Sequence, residues 1–220
     1  MKKRLNEFVI LNTLRKQYSL IIISVIFLIS SCAGVKPIKT PATIEELMQK
    51  YSKVTTITGL GDGTMKTPEK SFEGTVTINV DKDDLMVKVY SMGFLAGSLS
   101  SHNQIVQSNM SIHPEAKDII AQGIIDGLLW WNIDDFVITE KDGFYIIEGM
   151  DKTLTINKIT MLPVKMKLRL KHGDSMDITY NDEIRVDDYL FPKEIIATFD
   201  GYYVKCVFDS MKILNIGLSK

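Results

Sequence analysis

From Ser71 to Val80 the chain alternates without a break. Phe72, Gly74, Val76, Ile78 and Val80 fall on one parity, and Ser71, Glu73, Thr75, Thr77 and Asn79 on the other. Successive side chains of a strand point to opposite faces, so this pattern describes a strand greasy on one side and wet on the other. The greasy side has to be covered, and that requirement constrains everything else the chain builds.

The same parity recurs downstream. Lys82-Asp83-Asp84 reads as a turn, after which Leu85, Val87 and Val89 carry on the pattern with Lys88 opposite. Met92, Gly93, Phe94 and Leu95 interrupt it, a further strand runs to about Ser100, and His102-Asn103 turns into 104–107. Asp142-Gly143 is a hairpin signal between 136–139 and 145–148. Leu154 and Ile156 then alternate with threonines. Val164, Met166, Leu168 and Leu170 alternate with Lys165, Lys167, Arg169 and Lys171. Met176, Ile178 and Tyr180 oppose Asp177, Thr179 and Asn181, and two last strands, 195–200 and 202–214, join at Gly201.

Two segments change period. Thr43 and Glu46 form a capping box ahead of Ile44, Leu47 and Tyr51, which share a helix face. Pro114 suits a first helical turn, and Ala116, Ile119, Ile120, Gly123, Ile124, Gly127, Leu128 and Trp131 follow at helical spacing. The glycines on that face imply a close neighbour. Trp130-Trp131 ends this helix, one ring in the core and the other at a rim. About ten strands and two helices make an α+β chain, mainly antiparallel, with a large curved sheet whose concave face the helices cover.

The N-terminus is different in kind. Residues 1–31 hold Lys2, Lys3, Arg4, Arg15 and Lys16 against Glu7, then an apolar core from Leu20 to Ile29. That core is short beside the roughly 20 residues that span a bilayer. Ile29-Ser30-Ser31-Cys32 follows, an aliphatic residue, two small ones and a cysteine, resembling the bacterial lipobox. In this reading 1–31 is a lipoprotein signal peptide, Cys32 is lipidated, 32–41 is a tether with Pro37 and Pro41, and 42–220 is one domain. The alternatives are an uncleaved anchor, or an ordinary signal peptide with a chance cysteine. The leader also explains the charge. Of 26 basic and 27 acidic residues it takes five and one, so 21 and 26 remain and the body carries −5. No basic excess points to nucleic acid. Cys206, the one other cysteine, is expected in a strand as a small hydrophobe.

Other groups carry less. His102, His113 and His172 lack ligand spacing, and Asp81, Asp83 and Asp84 read as a solvated turn rather than a calcium loop. Gly59, Gly61 and Gly63 sit among extended residues, so a strand bend or bulge is expected, not a phosphate loop. The basic stripe of Lys165, Lys167, Arg169 and Lys171 is a solvated face, or a contact for acidic partners or headgroups. No cofactor or metal is called for, and no motif suggests an enzyme.

Two stretches resemble the LolA/LolB group of periplasmic lipoprotein carriers, LolB more than LolA. They are Leu85 to Leu99, with its apolar-glycine loop, and Asp177 to Tyr180 with Phe191 to Ile196 and Val204 to Asn215. The resemblance implies a half-open barrel whose apolar hollow holds acyl chains. It implies an outer-membrane lipoprotein, anchored through Cys32 on the periplasmic face. Such a monomer receives lipoproteins or lipids from a LolA-like soluble carrier. Ala33 carries no acidic retention signal; a Gram-positive surface is the alternative. In LolB a proline and a leucine precede the loop glycine. Here Met92 precedes Gly93; Met92, Phe94 and Leu95 form the corresponding membrane-insertion loop, or, in the alternative, Met92 packs inward. Strand and helix parity give the hollow's lining as Leu85, Val87, Val89, Ile119, Ile124, Trp131, Met166, Leu168 and Ile178. The competing reading is a structural or interaction lipoprotein of the same fold with a filled core.

Overall fold

In the computed structural model, residues 41–82, 84–170 and 174–215 are described. The leader, Cys32, Asp83, Lys171 and His172 therefore lie outside the described residues. The alternating segments all form strands, and the described residues hold twelve: β1 Val54–Lys66, β2 Ser71–Asp81, β3 Asp84–Ser91, β4 Phe94–His102, β5 Ile105–Ser108, β6 Val137–Lys141, β7 Phe144–Glu148, β8 Lys152–Asn157, β9 Pro163–Arg169, β10 Ser175–Val186, β11 Tyr189–Phe199 and β12 Tyr202–Asn215. They form one sheet in the order β5-β4-β3-β2-β1-β12-β11-β10-β9-β8-β7-β6. Every pairing is antiparallel, and β5 does not pair with β6, so the sheet stays open. Antiparallel neighbours put successive turns at alternate ends. The β3–β4 turn shares an end with the β11–β12 turn, and the start of β1 lies at the other with the β10–β11 turn.

Curvature comes from glycine. The register slips between Leu60 and Gly61, so β1 bulges there as the Gly59–Gly63 pattern implies. A Cβ on Gly61 would lie 2.0 Å from the Val207 carbonyl oxygen, and one on Gly59 would enter the Phe208 ring. Those two positions let β12 close onto β1.

Helix α1, Ile44–Tyr51, starts as the capping box predicts. Thr43 Oγ1 accepts from the Glu46 N–H at 3.2 Å, while the Glu46 carboxylate accepts from the Ala42 N–H at 3.0 Å. Its apolar face, Ile44, Leu47, Met48 and Tyr51, is buried. Helix α2, Pro114–Leu128, is buried on most of its circumference; Glu115, Asp118 and Gln122 mark its exposed stripe. It packs against β3, β4 and β5 on one flank and β10 and β11 on the other, so it lies across the concave face. A Cβ on Gly123 would come within 2.3 Å of the Met176 sulfur. Among the described residues, the core runs from Ile44 to Ile213.

Two expectations need correction. α2 ends at Leu128, before the tryptophan pair, and both rings are buried, Trp130 fully and Trp131 nearly so. Rings that stack on α1 no longer have to follow helical spacing. Val164 faces solvent at 37% exposure, because the register between β8 and β9 slips between Thr155 and Ile156 and moves Pro163 inward in its place.

Candidate functional site

The concave side collects most of the expected lining. Leu85, Val87, Trp131, Met166, Leu168 and Ile178 belong to the buried core, and Val89, Ile119 and Ile124 are half-buried against it. Together with α2 they fill the hollow. Two open depressions indent the surface, of about 550 and 400 Å³, and none of the nine lining residues borders either.

One end of the hollow is aromatic. The Tyr51 ring lies 4.8 Å from Trp130, 5.2 Å from Trp131 and 5.6 Å from Phe191, centroid to centroid. The Tyr51 hydroxyl donates to the Leu190 carbonyl and accepts from the Leu190 N–H. Burial pushes that phenol's pKa above its usual value. The Trp130 indole N–H has no acceptor among the described residues.

A polar group crosses the apolar interior that sequence reasoning did not single out. Asp126, on α2, accepts from Lys152 Nζ at 2.7 Å and from Gln122 Nε2 at 2.8 Å; Lys152 also donates to the Asn132 carbonyl at 3.0 Å. This ties α2 and the segment after it to the first residue of β8. The signal was a lone carboxylate among Ile124, Ile125, Gly127 and Leu128, whose partner lies 26 residues away.

At the β3–β4 turn the expected loop is a two-residue hairpin. Ser91 pairs with Phe94, and Met92 and Gly93 have φ of 51° and 82°, both in the left-handed region as a tight hairpin of this twist requires. Phe94 and Leu95 thus begin β4 instead of interrupting the pattern. Met92 is 96% exposed, Phe94 78% and Leu95 52%, and a Cβ on Gly93 would meet nothing within 4 Å. Exposed contiguous side chains of this size are unusual on a soluble surface.

The remaining residues fall out simply. Cys206 is buried in β12, and desolvation raises its thiol to about 12. His102 pairs with Asp84 at 2.8 Å on the surface, and His113 precedes α2 without capping it through its side chain. Lys165 of the basic stripe pairs with Asp177 on β10 at 3.0 Å. No helix among the described residues is long and apolar enough to cross a membrane.

No protein-family model and no curated protein matches the chain. Solved structures do. The chain is similar to a DUF1329 family protein from Desulfovibrio piger, at 9% identity over 79% of this chain and 91% of that one, with a TM-score of 0.50. It is also similar to a LolA superfamily protein from Nitrosomonas europaea, at 12% identity over 80% of this chain and 96% of that one, again with a TM-score of 0.50. At such identities the likeness shows the fold. The open, curved antiparallel sheet with helices across its concave face is the fold that the chain shares with these structures.

Proposed function

We propose that this chain is a carrier of the bacterial envelope, which binds acyl chains of lipoproteins or lipids on the concave side of its sheet and passes them to the outer membrane. It is held on the periplasmic face of that membrane by lipid on Cys32, and takes its cargo from a LolA-like soluble partner. Its work is binding and release, as a monomer, with no covalent step. The observation that carries this reading is the β3–β4 tip. Met92, Phe94 and Leu95 stand in water, where they contribute nothing to the core. In an acyl layer a fully exposed side chain of this kind recovers about 1.5–3 kcal/mol of transfer free energy, and the half-exposed Leu95 correspondingly less. Acyl chains would occupy the space near Leu85, Val87, Met166, Leu168 and Ile178, with α2 yielding to admit them.

A second reading, a lipoprotein that assists envelope assembly through its surface, is favoured by the packing of the concave side, where Ile147, Leu154, Met166 and Ile178 have no exposure at all. Mass spectrometry of lipid extracted from the purified protein separates the two. A carrier brings stoichiometric acyl lipid with it. Protein free of lipid that also takes up no apolar fluorescent probe leaves only the second reading.

A further inference from the structure

Strand β10 outruns its neighbour. It pairs with β11 as far as Val186, but with β9 only from Ser175 to Thr179. From Tyr180 onward a wedge opens between β10 and the β8–β9 connection, and the depression of about 550 Å³ fills it. Its walls are Thr160 and Leu162 from that connection, Asp182 and Glu183 from β10, and Lys193 from β11.

Three features make the wedge more than a gap. Asp182 has a φ of 51°, a left-handed conformation that aspartate tolerates. The kink breaks the alternation of β10, so Asn181, Asp182 and Glu183 are all exposed and two successive carboxylates border one space. Tyr180 also borders it, although the residue is only 5% exposed. The contact of its hydroxyl is the Met166 sulfur at 4.0 Å, a weak acceptor inside the hollow. Tyr180 therefore joins the outer wedge to the concave core, since Met166 is itself fully buried.

We propose that the wedge between β9 and β10 binds the head of a zwitterionic aminophospholipid. The ammonium lies against Asp182 and Glu183, and the phosphate against Lys193 and Thr160. The acyl chains pass Tyr180 into the hollow. Two carboxylates set opposite one ammonium match a head that carries both signs, and charge-assisted hydrogen bonds are the stronger kind. Leu162 and Tyr180, both buried at the inner wall of the wedge, part to admit the chains. The assignment rests on the carrier reading and names the lipid class it handles.

Calorimetric titration of the chain from Lys39 onward, a compact unit that holds the core of the described residues, tests it with water-soluble dihexanoyl lipids. The phosphatidylethanolamine should bind at least about tenfold more tightly than the phosphatidylglycerol of the same chains, a difference of about 1.4 kcal/mol. In Asp182→Asn/Glu183→Gln the ratio should fall towards one, with an unchanged melting temperature as the control for folding. Phosphoethanolamine without chains should bind at least about tenfold more weakly than the lipid; equal binding would assign the wedge to a free small molecule instead. A ratio near one in the parent chain, or a ratio that survives in the double variant, overturns the proposal. So does uptake of an uncharged acyl probe with binding of neither phospholipid, an outcome that leaves the carrier reading standing. Binding of none of these molecules removes both.

Discussion

Asp126 Oδ1 lies 2.7 Å from Lys152 Nζ, and the two side chains are only 6% and 11% exposed. The pair joins α2 to β8 through the apolar interior. A buried ion pair adds little net stability compared with a well-packed apolar replacement, but removing one partner strands a charge. Asp126→Ala should lower the unfolding free energy by about 3–5 kcal/mol. Asp126→Leu combined with Lys152→Met should cost much less than either change alone. Urea unfolding of the singles and the double measures this, and a double variant no better than the singles contradicts the account.

The exposed tip makes the opposite prediction. Replacing Met92, Phe94 and Leu95 by Glu should change stability by less than about 0.5 kcal/mol per site, because these side chains do not pack on the core. Co-sedimentation with lipid vesicles should fall sharply. A variant that pellets as well as its parent removes the tip from membrane contact.

Two buried glycines should respond differently to the same added methyl group. At Gly61 the new Cβ would meet the backbone oxygen of Val207 at 2.0 Å, and a paired strand cannot retreat. At Gly123 it would meet the end of the Met176 side chain, which can change rotamer, and alanine is the better helix former by about 1 kcal/mol. Gly61→Ala should therefore cost about 1–3 kcal/mol or more, and Gly123→Ala clearly less, in thermal unfolding.

Alkaline pH should loosen the fold in a set order. Burial raises the Cys206 thiol from 9.0 to about 12, and also raises the phenols of Tyr51 and Tyr180. Each group holds its proton more tightly when folded than when unfolded. Their stabilisation is complete below the unfolded thiol's pKa and is lost as pH rises towards the folded value. Unfolding free energy should decline between about pH 9 and 12, and Cys206→Val should flatten the first part of that decline. Below pH 8, Cys206 should also resist thiol reagents until the chain unfolds.

Local chemistry made much of this fold legible. Asp142-Gly143 adopts the paired positive φ values that its sequence implies, 49° and 83°. The alternation from Phe72 to Val80 gives β2 its one buried parity, and Thr43 with Glu46 starts α1. Long-range events were not legible. Met166 and Leu168 face inward as the alternation of β9 implies, but Val164 leaves that parity at a slip opposite Thr155 that only the pairing with β8 reveals. The reach of β10 past β9 is set by where the β8–β9 connection ends, so the wedge at Tyr180 follows from pairing rather than from any motif. Asp126 was visible as an odd charge in an apolar helix, but only the fold brings Lys152 to it.

The central claim is that the concave side of the sheet, packed in this structure, admits acyl chains. Native mass spectrometry of the chain from Lys39 onward, mixed with a synthetic diacylglyceryl-cysteine peptide, tests it most directly. The account predicts one bound peptide per chain, lost when Met166 and Ile178 on the concave side are both replaced by Trp in a variant that still melts cooperatively. A spectrum showing only the unliganded chain across the soluble range of the peptide, with the protein folded, would contradict it.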